Sequence, residues 1–330
     1  MTDTSKRPKV LLTLPIHLKA EARLELFADV LRAPDASPAT LSEWAADADA
    51  VIVRAQLPVD IFKTSRRLRV AVRHGSGVDM IPIPQATESG VVVANVPGVN
   101  ARSVSEYVLW ALLSSRRRLV QIADSHRLQQ SSPWQYARQF ANDGHEVDGS
   151  RIGIIGFGNV GKTVSLMLQA IWQVEILAYN INPIVPARGV RQCELDVLLS
   201  DCDVVILALP LTDETRGLIN AERLALMREG SVLINVARGP IVDESDLLKA
   251  LDMGRPALAV LDVFNQQPLP VEHPLWRHPN VTLTPHVAGV SDESMLRMGV
   301  GAVEEVQRVL GGQKPLNFIN PIVWGNRRAS

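Results

Sequence analysis

Gly156-Phe-Gly-Asn-Val-Gly161 lies where an apolar, β-branched run, Arg151–Phe157, gives way to helical periodicity, and it constrains the fold more than any other part of the chain. Glycines at this spacing allow a tight strand-to-helix turn, a close approach of backbone to pyrophosphate, and close packing of helix on strand. The helix start behind them offers free N–H groups and the positive end of its dipole to phosphate. The pattern then repeats. Val174–Asn180, Asp203–Leu209, Ser231–Val236 and Ala257–Val263 are further apolar runs, Val281–Thr284 adds a sixth, and helix-like segments separate them. Continuous apolar strands alternating with helices predict a parallel sheet covered on both faces.

Upstream, Lys9–Leu14, Ala50–Arg54 and Leu68–Val72 read as short buried strands and Lys19–Leu31 as a helix, which predicts a smaller α/β unit in the first hundred residues. Asn95-Val-Pro-Gly-Val-Asn-Ala-Arg102 is rich in turn residues and marks a boundary. Ser103 and Glu106 have the spacing of a capping box and open a long apolar helix through Leu113. The basic run Arg116–Arg118 reads as the solvated end of that helix. From Ser291 a last helix leads into an extended Asn317–Pro321.

A length of 330 residues leaves room for two domains with cores of their own. The net charge of −1 gives no basic face for a nucleic acid. Cys193 and Cys202 suit neither a disulfide framework nor a metal-ligand set, so both read as small hydrophobes and no metal is expected. Met1–Lys9 is too polar for a signal peptide, and no apolar run reaches membrane-spanning length. The expected setting is the cytoplasm.

Three segments can supply acid–base chemistry. Asn235–Asp243 puts Arg238 just past the C-terminal end of a strand, where ligands of open α/β sheets bind. Leu261–Pro268 does the same for Asp262 and Gln267, and Thr284–Gly289 places His286 after the last strand. A cation, a proton donor and a group that orients the donor are what hydride exchange with a 2-oxo acid requires besides a nicotinamide. At the end of the second strand, Asn180 stands where an acidic residue would grip ribose hydroxyls. A neutral amide bonds a hydroxyl without repelling a 2′-phosphate, and Arg188 either pairs with such a phosphate or is a solvated loop residue. NAD is the expected cofactor, with NADP left open.

Together with Pro210-Leu-Thr-Asp-Glu-Thr-Arg-Gly-Leu-Ile-Asn220 and Ser103-Val-Ser-Glu106, these motifs make the chain resemble the D-isomer-specific 2-hydroxyacid dehydrogenase family from about Val51 to Pro321. The resemblance implies a two-domain α/β chain. In it a Rossmann-type NAD(P)-binding domain (102–289) is inserted into a smaller, flavodoxin-like substrate domain (1–101 and 290–330), with the active site in the cleft and a homodimer as the common assembly. It implies that Arg238 binds the substrate carboxylate and carbonyl, that His286 is the general acid/base, and that Asp262 contacts the nicotinamide end. Ser76, Gly156, Gly158, Asn159, Val160, Gly161, Asn180, Leu209, Pro210, Thr215, Val236, Ala237 and Gly289 would line the cofactor groove with Arg238, Asp262 and His286. The loop Gly75-Ser76-Gly77-Val78 would offer N–H groups to the substrate carboxylate.

One position departs from the family, which carries Glu where this chain has Gln267 before Pro268. A carboxylate beside a histidine stabilises imidazolium, whereas an amide only orients the ring. His286 is therefore expected to titrate lower than in relatives, favouring its role as base in alcohol oxidation and giving carbonyl reduction a more acidic optimum. Gln266 and Glu272 are alternative partners in the same loop. Formate dehydrogenases of the superfamily also carry Gln here, but this chain has Ala288 where they have Ser. A nicotinamide-sensing binding protein is the reading from another class. Arg54 and Arg73 each end a short strand, and both segments look similar to those of 3-phosphoglycerate dehydrogenases, whose matching arginines hold the phosphate. They are either surface arginines or a clamp for an anionic far end of the substrate. His74 is either a further donor there or a plain loop histidine. The C-terminal regulatory domains of many such enzymes are not expected.

Overall fold

The structure, a computed structural model, describes residues 7–128, 132–184 and 187–328, so the first six residues of the polar N-terminal segment lie outside it. The chain divides into two compact units, one running to Asn100 and resuming at Val290, the other spanning Ala101–Gly289.

The first unit opens with β1 (Lys9–Leu12), α1 (Leu18–Glu25), β2 (Asp29–Arg32), α2 (Pro38–Ala45) and β3 (Ala50–Val53). It continues with α3 (Ile61–Thr64), β4 (Val70–Arg73), α4 (Ile83–Glu88) and β5 (Val92–Ala94). All pairings are parallel, in the order β2-β1-β3-β4-β5. Every side chain of β3 is buried, so both faces of the sheet need cover. The period-2 alternation shares the strands between two cores: Val10, Leu12, Ile52 and Val72 on one face, Leu11, Val51, Val53 and Ala71 on the other.

The helix expected over Lys19–Leu31 stops at Glu25, and Asp29–Arg32 becomes an edge strand in register with Lys9–Leu12. Its apolar residues satisfy either reading. The hydrogen bonds of β1 decide between them, and local periodicity cannot see a partner about twenty residues away.

The second unit begins with α5 (Ala101–Arg116), α6 (Leu119–Leu128) and α7 (Pro133–Gln139). There follow β6 (Arg151–Ile155), α8 (Asn159–Ile171), β7 (Glu175–Tyr179), β8 (Val190–Gln192), α9 (Leu195–Asp201) and β9 (Val204–Leu207). The unit ends with α10 (Ala221–Leu226), β10 (Val232–Asn235), α11 (Glu244–Asp252), β11 (Leu258–Leu261) and β12 (Val281–Leu283). Seven parallel strands lie in the order β12-β11-β10-β9-β6-β7-β8. The direction of winding reverses between β6 and β9, and the glycine-rich turn leaves β6 at that switch point, where open sheets of this kind bind ligands. Both sheets are thus of the expected α/β class.

Two expectations about α5 fail. The helix starts two residues before Ser103, so no capping box forms there; Glu106 instead pairs with Arg102 at 3.0 Å, one turn back. Arg117 is exposed as expected, but Arg116 and Arg118 are partly buried, and burial lowers both their guanidinium pKa values. Cys202 is fully buried, and burial pushes its thiol pKa up. No helix among the described residues is long and apolar enough to cross a membrane.

The chain returns to the first unit as α12 (Asp292–Leu310), capped by Ser291 and Ser294. Ala302, Val303 and Val306 of α12 complete one of that unit's cores. The tail then closes the β5 edge. Phe318 bridges Ala94, and Asn320 accepts from Val93 N–H at 2.8 Å and donates to Val91 O at 3.0 Å. Arg328 ends the latch by donating to the carbonyls of Phe62, Ser65, Leu68 and Ser89 at 2.6–2.9 Å. Arg328→Ala should lower stability by on the order of 2–3 kcal/mol, because charge-assisted bonds are lost and partly buried carbonyls lose their donor. A shift of the urea midpoint measures it.

Candidate active site

The glycine-rich turn is built by close approach. Gly156 has φ +96°, and a Cβ there would sit 2.5 Å from Ala208 O; a Cβ at Gly161 would sit 2.3 Å from Gly156 O. Both positions need glycine for the fold. Gly158 differs, because a Cβ there would meet nothing within 4 Å. Gly158 also N-caps α8 without a side-chain hydrogen bond, so the N–H groups at Asn159 and Val160 face an open cradle of the kind a pyrophosphate fills. Leu209, Pro210, Val236 and Ala237 follow the ends of β9 and β10 on the same side of the switch point. Thr215 is buried, its hydroxyl donating to Pro210 O at 2.8 Å and accepting from Thr212 N–H at 2.7 Å, so it shapes this loop from within. Asn180 accepts from Phe157 N–H at 3.2 Å and donates to Asn182 O at 2.9 Å, tying the turn to the end of β7. Arg188 is exposed.

The turn after β10 is stapled by Asn235, a buried residue that sequence reading missed as a contributor. Its carbonyl oxygen accepts from Ala237 N–H at 3.0 Å, and its amide donates to Arg238 O at 3.1 Å. Arg238 thereby leaves the strand extended, with Nη1 on Ala237 O at 2.7 Å. At Gly239 the backbone presses against the next loop so closely that a Cβ would lie 2.0 Å from Phe264 C. That contact sets the Arg238 turn against the loop carrying Gln267. Glu244, also missed, anchors the same loop by accepting from Asn265 N–H at 2.7 Å and meeting His273 Nε2 at 3.4 Å.

His286 Nδ1 lies 2.8 Å from Gln267 Oε1, while Gln267 Nε2 donates to Phe264 O at 3.3 Å. The amide is thus oriented with its acceptor toward the ring. With Oε1 accepting, Nδ1 is the donor to Gln267, and Nε2 can act as the base whenever the ring is neutral. Gln266 and Glu272 are exposed. Asp262, 1% exposed, accepts from the Thr284 hydroxyl at 2.6 Å, from Val287 N–H at 2.8 Å and from Ala288 N–H at 2.8 Å, and its carbonyl accepts from His286 N–H at 2.9 Å. Its carboxylate is spent largely on the turn that carries His286 and leads to Gly289. Among the described residues no group of His, Cys, Asp and Glu is arranged to hold a metal.

In the first unit, Thr13 accepts from Arg54 N–H at 2.8 Å and fixes where that residue leaves β3. The Arg54 guanidinium donates to Pro15 O and approaches Met295 Sδ at 3.9 Å, and burial lowers its pKa. Arg73 braces the neighbouring loop, donating to Val53 O at 2.8 Å, His74 O at 2.7 Å and Gly77 O at 3.0 Å. Gly75 N–H turns inward to Arg73 O at 2.9 Å, whereas the N–H groups of Ser76 and Gly77 have no acceptor among the described residues. Asn95 donates to Ser76 O at 2.6 Å. His74 is neither a loop histidine in solvent nor a cation. It is 2% exposed, and burial, reinforced by the charges of Arg54 and Arg73, pulls its pKa down to about 3.

The two kinds of glycine separate binding from folding. Gly158→Ala should leave the thermal melt unchanged yet weaken NADH by about tenfold or more, since its Cβ enters the cradle. Gly161→Ala should instead destabilise the protein by roughly 1–3 kcal/mol through overpacking. Fluorescence titration and thermal melts of both variants check this.

Comparison with known proteins fits this geometry. Residues 109–288 match the family described as D-isomer specific 2-hydroxyacid dehydrogenase, NAD binding domain. The chain is 36% identical over 281 residues to a glyoxylate reductase of Thermofilum pendens, covering 83% of this chain and 81% of that one. It is 34% identical to a D-3-phosphoglycerate dehydrogenase of Archaeoglobus fulgidus over 82% of this chain and 51% of that one, and so spans about half the length of that relative. A solved NADPH-dependent glyoxylate/hydroxypyruvate reductase from Sinorhizobium meliloti, in complex with NADP and malonate, matches with a TM-score of 0.84 at 27% identity, over 98% of this chain and 100% of that one. The chain belongs to the D-isomer specific 2-hydroxyacid dehydrogenase family and is an NAD(P)-dependent oxidoreductase.

Proposed function

We propose that the protein interconverts a 2-oxo acid and its D-2-hydroxy acid, with a substrate that bears a second anionic group at its far end. The acid–base half of this reading rests on the 2.8 Å pairing of His286 with Gln267. A nicotinamide cofactor, with its pyrophosphate at the Gly156–Gly161 turn, would supply or accept the hydride at C2. In the reducing direction His286 Nε2 gives its proton to the C2 oxygen, and in the oxidising direction neutral Nε2 takes the proton from the hydroxyl. Arg238 neutralises the carboxylate and polarises the carbonyl, a task that a fixed guanidinium fork performs without reorganising. In the first unit the N–H groups of Ser76 and Gly77 are donors for the carboxylate, with Gly75 and Arg73 framing their turn.

Arg54 supports the anionic far end. It is a partly buried cation whose recorded partners are a carbonyl and a thioether, and no carboxylate pairs with it among the described residues. Desolvating a guanidinium without a counter-ion is unfavourable, and an anionic substrate would relieve that cost. Arg73, whose donors hold backbone carbonyls, supports the loop more directly than the ligand. The proposal includes the homodimer implied by the family resemblance, for which Trp110, Leu113, Leu119 and Trp134 offer exposed apolar surface on α5–α7.

With NADH or NADPH, hydroxypyruvate phosphate, sulfopyruvate and oxaloacetate should be reduced with higher kcat/KM than glyoxylate or pyruvate. Arg54→Met should lower kcat/KM for the dianionic acids by about 10- to 100-fold, the worth of a charge-assisted bond, while changing glyoxylate little. A wild-type preference for glyoxylate, untouched by this substitution, would remove the anionic clamp from the proposal. Gln267→Glu places a carboxylate on Nδ1 and stabilises imidazolium. The pH–rate profile for reduction should then extend to higher pH, because the proton-donating form persists there; coincident profiles would contradict the role given to Gln267.

A further inference from the structure

We propose that Tyr107 is a positioning residue for proton transfer, acting on His286 through Thr284 and Asp262; the assignment rests on His286 being the proton-transfer group. Tyr107 lies on α5, far from the active-site motifs in sequence, yet its hydroxyl is 2.6 Å from Thr284 Oγ1. Thr284 Oγ1 in turn is 2.6 Å from Asp262 Oδ1. The direction of this chain follows from donor counting. A carboxylate only accepts, so the single Thr284 proton goes to Asp262, and the Tyr107 hydroxyl must donate to Thr284. Burial pushes the phenol pKa up to about 12, so it keeps its proton over the whole working range.

Four bonds then wrap residues 284–288 around Asp262: those from Thr284 Oγ1, Val287 N–H and Ala288 N–H to the carboxylate, and that from His286 N–H to the carbonyl. The turn they hold places His286 at φ +56°, a left-handed conformation that is strained for a non-glycine residue and persists only where the surroundings fix it. The ring of Tyr107 packs in the second unit's core and against Trp110 at 5.2 Å between centroids. That packing needs the ring and not its oxygen. The oxygen's recorded partner is the threonine that fixes one lone pair of Asp262. Losing it frees the Thr284 hydroxyl and the Asp262 carboxylate to rotate, and the bonds that fix the His286 turn loosen.

Tyr107→Phe, Thr284→Val and Thr284→Ser test the chain, with NADH and the best 2-oxo acid of the panel. Tyr107→Phe and Thr284→Val should lower kcat about tenfold, leave KM and NADH affinity within about twofold, and raise the solvent deuterium effect on kcat, as a misplaced proton donor does. Thr284→Ser keeps the hydroxyl and should behave as wild type. A second readout needs no turnover: the imidazole NMR resonances of His286 in the apo protein, identified by their loss in His286→Asn, should move in Tyr107→Phe and Thr284→Val but not in Thr284→Ser. Unchanged kinetics and resonances, or a lowered melting temperature with an unchanged isotope effect, would overturn the proposal. If the wild type reduces no 2-oxo acid, the functional reading fails, and the resonances alone decide whether Tyr107 positions His286.

Discussion

A buried carboxylate has to be given donors, and at Asp262 that requirement shapes the active site. The residue follows β11 directly and is almost without solvent, so its two oxygens must be satisfied by the chain itself. The chain complies by folding the segment after β12 back over it, contributing a hydroxyl and two N–H groups, and one consequence is a histidine in the left-handed region. Strain at His286 and satisfaction at Asp262 are two sides of one arrangement. A carboxylate has more acceptor sites than the three donors of this turn occupy.

The second constraint is distance between backbones. Parallel strands with both faces covered leave their C-terminal ends as the place where polar groups can collect without disturbing a core. At those ends this chain brings loops together by omitting side chains. Gly156 and Gly161 let α8 close onto β6, and Gly239 lets the Arg238 turn touch the loop of Gln267. Asn235 and Glu244 lock the loops once they are close. Arg238 and His286 are thus held by hydrogen bonds that lie one residue shell behind them, which is how a site on loops gains the precision of a site on strands.

The electrostatics of each unit follow from its own side chains. In the second unit the partner of His286 Nδ1 is the neutral amide of Gln267, which orients the ring without adding a charge. In the first unit the charges of Arg54 and Arg73 help keep His74 neutral, and Arg73 is committed to three carbonyls. The Arg54 guanidinium, partly buried, donates to Pro15 O and approaches Met295 Sδ, with no carboxylate paired to it among the described residues.

Much of this was legible beforehand. Six of the seven strands of the second unit, the glycine turn, Arg238, Asp262, Gln267 and His286 show in apolar runs and fixed spacings, because a strand buried on both faces must be apolar and a phosphate turn must be bare. The strands β2, β5 and β8 did not show: each is three or four residues long, and its hydrogen-bond partner lies elsewhere in the chain. The start of α5 was misplaced because Ser103 and Glu106 have capping-box spacing whether or not they cap. The supporting shell of Tyr107, Thr13 and Glu244 is silent in the sequence, since nothing local distinguishes a tyrosine that packs from one that also donates a hydrogen bond. The sequence by itself therefore determined the class of fold and marked the candidate reacting groups, through periodicity and motif. Tertiary structure decided which groups are buried, which donors are spent and which remain free, because burial and hydrogen-bond satisfaction depend on residues far apart in the chain.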